Sequence, residues 1–183
     1  MYVFDIRNLR IDKSGNYILV GEQNKTYTTY SQNHTTIKEY YLDIFILKID
    51  PDGKLVWEVR IPKKQVFVPT ANKKAGNMYD FASYALVMTD DKLLFFINDN
   101  IENLVIENRP KQVKWDKSCS QVIIIDKDGE MQRKIISDIP GKMMNNSFFE
   151  LLPDNRVLTR YSFYKKYDKG DYRILDLRQF LAQ

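Results

Sequence analysis

One histidine, one cysteine and 24 acidic residues are the side chains with which this 183-residue chain could do chemistry. His34 lies in Ser31-Gln32-Asn33-His34-Thr35, a polar hairpin tip. A single imidazole cannot build a histidine-rich metal site. As a general base it would also need a nucleophile and an orienting carboxylate, which the local sequence does not supply. It reads as an exposed loop histidine. Cys119 precedes an apolar run, has no partner for an internal disulfide, and lacks a neighbouring basic helix terminus to favour the thiolate, so it reads as a buried inert thiol. Asp50-x-Asp52-Gly53 and Asp126-x-Asp128-Gly129 echo the opening of a calcium loop, but the glycine follows at once and an apolar strand begins where further oxygen ligands should stand. Both read as hairpin turns. Glu22, Glu39, Asp99 and Glu102 lie near strand ends, and two of them facing each other across repeats would make the acid and base of a glycosidase. Acids are common at strand ends for solubility, so a carboxylate-based hydrolase is kept as the alternative. No catalytic residue, metal ligand or cofactor is assigned.

The elements that must position these groups are hairpins, and they repeat. Ile44 to Asp50, the turn Pro51-Asp52-Gly53-Lys54 and Leu55 to Ile61 are matched by Val122 to Asp126, Lys127-Asp128-Gly129-Glu130 and Met131 to Ile136, with the two glycines 76 residues apart. Asp-Gly supplies the positive φ that tight hairpin connections demand. An earlier hairpin precedes each: Leu9 to Val20 around Lys13-Ser14-Gly15-Asn16, and Tyr84 to Ile97 around Thr89-Asp90-Asp91-Lys92. A third copy starts at Phe148, turns at Pro153-Asp154-Asn155-Arg156, adds a strand at Tyr172 to Leu177 and then runs out. Four antiparallel strands joined in order by tight turns are the blade of a β-propeller. The expectation is therefore an all-β, propeller-like domain over residues 1–183, with repeats at about 1–62, 79–138 and 147–178. That amounts to about two and a half blades, whereas closed propellers have about 4 to 8. Upstream residues or self-association are expected to complete the ring, with a β-sandwich or an open sheet as the competing folds. Trp57, just after an Asp-Gly turn, is expected to pack.

Composition sets the outer limits. Hydrophobic residues at 44% and charged residues at 28% suit a globular core and exclude wholesale disorder. A net charge of +4, spread along the chain, is too mild to predict specific nucleic-acid binding. No apolar run approaches the roughly 18 residues of a membrane span, and the start Met1-Tyr2-Val3-Phe4-Asp5 has no leader pattern but enters a strand directly, as if a longer parent had been cut.

Phe4-Asp5-Ile6-Arg7, Glu22-Gln23, Asp43-Ile44-Phe45, Asp50-Pro51-Asp52-Gly53, Trp57, Ile61-Pro62-Lys63-Lys64-Gln65 and Asn98-Asp99-Asn100 together resemble the C-terminal half of a family of uncharacterised exported bacterial proteins. The resemblance implies a propeller-like fold without an assigned activity. It also implies a periplasmic or extracellular location if a leader is missing from this chain, and a cytoplasmic one otherwise.

Meander topology divides the molecule into two ends. The short turns share one end, and the long segments Asn24 to Tyr41, Pro62 to Tyr79, Ile101 to Ser118, Ser137 to Asn146 and Phe163 to Asp171 share the other. Long loops on a rigid scaffold are where binding residues concentrate. The expected function is thus a non-catalytic binding or interaction module for a protein or glycan partner. Candidate residues on the long-loop face are Tyr30, Tyr41, Lys63, Lys64, Lys73, Lys74, Arg109, Trp115, Tyr164 and Lys165. Aromatic rings offer platforms for sugars, and lysines attract anions. The plainer reading, that tyrosines alternate with threonines because these are extended strands and that lysines keep loops soluble, carries more weight from sequence alone.

Overall fold

The computed structural model describes residues 3–32, 34–68, 78–105, 109–139, 141–163 and 166–181. Twelve strands are assigned among them: β1 (Val3–Ile11), β2 (Tyr17–Ser31), β3 (His34–Ile49), β4 (Leu55–Ile61), β5 (Gln65–Phe67), β6 (Ala85–Met88), β7 (Lys92–Asn100), β8 (Ser118–Asp126), β9 (Met131–Ser137), β10 (Lys142–Leu152), β11 (Arg156–Phe163) and β12 (Lys166–Asp176). A short helix, α1 (Arg178–Leu181), follows. The strands form three antiparallel sheets in chain order: β1-β2-β3-β4 with β5 added along β3, then β6-β7-β8-β9, then β10-β11-β12. The protein is all-β and built of successive meanders.

The turns show why these sequences make hairpins. Gly15, Gly53 and Gly129 all take positive φ, between 82° and 88°. Three residues before each stands an aspartate whose backbone carbonyl accepts from the glycine amide. The carboxylates of Asp12, Asp50 and Asp126 then accept backbone amides across their turns, from Asn16, Lys54 and Glu130 respectively. The first acid of each Asp-x-Asp-Gly is therefore occupied in closing its turn. The third-sheet turn uses Asp154 and Asn155 at φ 68° and 61°, the two residue types that tolerate the left-handed region best after glycine. Contacts between turns bring them to one end: Lys13 Nζ lies 2.5 Å from Asp90, and the Trp57 indole donates to the Lys127 carbonyl at 3.0 Å.

Several of the segments grouped with the long connections are strand in part, and for Asn24 to Tyr41 this is the extended-strand reading of its Tyr/Thr alternation. β2 and β3 stay paired from Asn24 opposite Tyr41 out to Ser31 opposite His34, making a long arm beyond the body of the sheet. Tyr and Thr crowd this stretch, and their branched and aromatic side chains favour extended backbone even where little is buried. The third unit likewise begins earlier than expected, at Lys142, and β12 reaches back to Lys166.

The middle sheet carries the core. On β7, Leu93, Phe95 and Ile97 join Ile18, Val20, Ile44, Ile46 and Ile61 of the first sheet. The alternate residues Leu94 and Phe96 join Met144, Val157, Tyr161 and Leu175 of the third. Burial on both faces explains why β7 and β8 are nearly continuous apolar runs rather than alternating ones. Each sheet thus presents one face forward, onto the next sheet, and one backward.

Candidate functional site

An open groove of about 490 Å³ lies where the β2–β3 arm leaves the first sheet, at the end opposite the short turns. Period-two alternation places Gln23, Lys25 and Tyr27 on one side of β2 and sets Tyr40 opposite Lys25, so the arm forms one wall. Arg60, at the end of β4, Lys64, Arg109 and Pro110 continue the lining. Five basic residues border the groove against one acid, Asp43, but the Lys63 ammonium is buried against Glu22, which leaves Lys25, Arg60, Lys64 and Arg109. That acid is committed: Arg60 Nε donates to its Oδ2 at 2.7 Å, and the Lys63 amide donates to its Oδ1. The net lining charge is positive.

Beneath the groove lies a buried polar cluster that holds this lining. Glu22 and Lys63 are each fully buried, with Lys63 Nζ 2.5 Å from Glu22 Oε1, an ion contact without hydrogen-bond alignment. The Ser83 hydroxyl donates to Glu22 Oε2 at 2.6 Å, and Arg7 Nη1 lies 3.4 Å from the same oxygen. Burial pushes the Lys63 ammonium down from its ordinary pKa, and the Glu22 charge opposes that shift. Gln65 accepts from both Lys63 Nζ and the Ser83 amide and donates to the Asn98 carbonyl, tying the first sheet to the middle one. Asn98 in turn donates to the Met144 carbonyl and accepts from the Met144 amide, tying the middle sheet to the third.

A second branch fixes Arg109. Asp99 is fully buried and accepts from the Asn103 side chain and the Asn100 amide. Asn103 exchanges hydrogen bonds with the Lys111 backbone, accepting at 2.7 Å and donating at 2.9 Å, and Asn100 donates to the Gln112 carbonyl. Val113 then donates to the Lys64 carbonyl. The segment after Arg109 is therefore laced to the interior and to the groove floor. Burial raises the Asp99 carboxyl to about 6, even though the bonds from Asn103 and Asn100 and the charge of Arg133 act to lower it. Arg133 lies 3.5 Å from Asp99 and donates to the Pro62 carbonyl at 3.0 Å.

The candidate residues separate clearly. Lys64 and Arg109 line the groove together. Lys63, read from sequence as a solvent-facing loop lysine, supports the groove from below with its side chain at 0% exposure, because a buried Glu22 requires a cation beside it. Tyr41 lies on the other side of β3 from Tyr40 and packs edge-on against Phe67. Tyr30 is 79% exposed near the tip of the arm, beyond the groove lining. Trp115 opens a single helical turn, Trp115–Lys117, and its side chain is outside what is described. Lys73, Lys74, Tyr164 and Lys165 lie outside the described residues. Gln23, Lys25 and Arg60 were missed, although the alternation along β2 that aligns Tyr27 with Lys25 and Gln23 was legible.

The four acids weighed for hydrolysis are differently employed. Glu22 and Asp99 are shut in the interior, and Glu102 pairs with Lys111 and Lys117. Glu39 sits in β3 opposite Thr26 and Phe67. Cys119 is buried, which raises its thiol to about 11 against a hydrogen bond from Gln121. Among the described residues, no three His, Cys, Asp or Glu gather as a metal ion would need, and no helix is long and apolar enough to cross a membrane. Set against protein-family models, curated proteins and solved structures, the chain finds no match.

Proposed function

We propose that this chain is a non-catalytic, propeller-like binding module whose groove takes an acidic glycan. The architecture is read as partial propeller, about two and a half blades, because three consecutive meanders stack face to face with their short turns at one end. The single observation that carries the ligand class is the groove lining, with Lys25, Arg60, Lys64 and Arg109 and two tyrosines against one acid that Arg60 already occupies, Lys63 being taken up by Glu22 below. Cations attract carboxylate or sulfate groups, and the Tyr27 and Tyr40 rings offer the apolar surface on which a sugar ring rests. The groove is open and runs along the β2–β3 arm, which suits one stretch of a longer polymer. The sequence resemblance to the exported family supports a site in the periplasm or outside the cell if a leader is missing from this chain, and in the cytoplasm otherwise.

Titration calorimetry with uronate-containing or sulfated oligosaccharides, run beside neutral ones at low and high salt, tests this reading. Binding is expected for the anionic set, weakening with salt as surface charges are screened. The Lys64→Glu/Arg109→Glu variant should lose at least tenfold in affinity. Binding that is indifferent to salt and to this variant would remove the groove as the site.

A further inference from the structure

We infer that the chain stacks head to tail on copies of itself, the open forward face of the third sheet in one copy docking on the open backward face of the first sheet in the next. This inference rests on the sheet faces and not on the groove, although Gln23 and Arg60 border both. Within the chain, every sheet contact is of one kind. The forward face of the first sheet covers the backward face of the middle sheet, and the forward face of the middle sheet covers the backward face of the third. Among the described residues one backward face and one forward face are left over, and they are the two halves of the same joint.

The residues on the leftover faces are those of a joint. On the first sheet, strand register puts Phe4, Ile6, Leu9 and Ile11 of β1 beside Gln23, Gly21, Leu19 and Tyr17 of β2, all pointing away from the middle sheet. With the 76-residue offset, Tyr17 and Leu19 occupy the positions of Leu93 and Phe95, which are 4% and 0% exposed in the middle sheet. Yet Ile6, Leu9 and Ile11 are 57%, 64% and 58% exposed. Six such side chains, counting Phe4, Tyr17 and Leu55, are 40–64% exposed on this one face, a contiguous apolar set of the kind that marks an interaction surface. The turn repeats the asymmetry. Gly129 of the middle sheet is covered by Trp57 of the first, about 3 Å from where a Cβ would stand, whereas its counterpart Gly53 has nothing within 4 Å among the described residues. On the third sheet, Tyr172 and Ile174 lie opposite Arg160 and Leu158 on the forward face, 62% and 55% exposed, with Phe148 packed edge-on against Tyr172. A forward face meeting a backward face is a heterologous contact, so it propagates, into a ring if the rotation closes and into an open filament if it does not.

Sedimentation velocity or light scattering on the chain, from micromolar to submillimolar concentration, reads the outcome. The chain should show a mass of two copies or more that rises with concentration. Ile6→Lys/Leu9→Lys should be monomeric, and so should Tyr172→Lys/Ile174→Lys. Mixing the two variants should restore a 1:1 dimer, because each keeps the face that the other has lost, and this rescue also shows that both are folded. A chain that stays monomeric throughout overturns the inference. So does a third-sheet variant that still dimerises by itself, since that pattern belongs to two first sheets meeting each other. A longer natural product that is monomeric while residues 1–183 assemble would also overturn it, by assigning the face to that additional chain.

Discussion

Lys63→Met keeps most of the side-chain volume while deleting the charge that meets Glu22 in the interior. The Glu22 carboxylate would keep the Ser83 hydroxyl at 2.6 Å and the Arg7 guanidinium at 3.4 Å, but would lose its contact at 2.5 Å. Removing one partner of a buried ion pair costs about 3–5 kcal/mol, because the remaining charge has neither water nor counterion. Arg7 is partly solvated, its side chain 35% exposed, and compensates incompletely, so about 3 kcal/mol is expected. Glu22→Gln should cost less, since Lys63 can shed its proton; its folded pKa would then fall further below the unfolded one, and stability of that variant should rise with pH through that window. The double variant Glu22→Gln/Lys63→Met buries no uncompensated charge at this position and should recover at least about 1.5 kcal/mol relative to the sum of the singles. Urea denaturation at pH 7 followed by circular dichroism measures all three, and the loss in Lys63→Met corresponds to a fall in Tm of about 6–12 °C for a chain of this size. A Lys63→Met loss under about 1 kcal/mol, or a strictly additive double variant, would refute the claim that this pair holds the groove floor through charge.

Two further outcomes follow from the same geometry. Asp99 titrates at about 6 in the folded chain against an ordinary 3.8, so folding favours its protonated form; that contribution is complete below about pH 4 and is lost as pH rises through 6. Asp99→Asn should therefore flatten the pH dependence of stability between 4 and 6 and raise stability at pH 7 by up to about 3 kcal/mol, unless its pH profile proves identical to that of the parent. Gly53→Ala and Gly129→Ala both force a side chain into the left-handed region, at a cost of about 1 kcal/mol each. Only Gly129→Ala also meets the Trp57 ring, at 3.0 Å from its Cγ, so it should be the worse of the two by chemical denaturation; equal losses would mean that the Trp57 contact does not hold the turn.

The fold class was legible because it is written in local chemistry. Asp12, Asp50 and Asp126 each close a turn around a glycine three residues later, and a turn is settled by neighbours in sequence. The unbroken apolar runs of β7 and β8 announced strands covered on both faces for the same reason. Lys64 and Arg109 could be named as groove residues because both stand in long connections at the end away from the tight turns. The stretch from Asn24 to Tyr41 was legible as extended strands in its alternating Tyr and Thr, although it was also counted among the long connections; β2 and β3 pair along it.

What the sequence by itself determined, then, is the meander strands other than β5, their order and the end at which long connections gather. Tertiary structure alone decided the fate of each polar side chain. Lys63 and Lys64 are adjacent and identical in type, yet one is sealed against Glu22, 41 positions earlier in the chain, and the other lines the groove. Glu22-Gln23, Ile61 to Gln65 and Asn98-Asp99-Asn100 look like scattered strand ends in one dimension, but the sheet stack brings Glu22, Lys63, Gln65 and Asn98 into one buried network, with Asp99 joined through Arg133. The physical reason is that burying a charge is tolerable only beside its opposite, and which opposite charge stands beside it depends on how sheets distant in sequence are laid together.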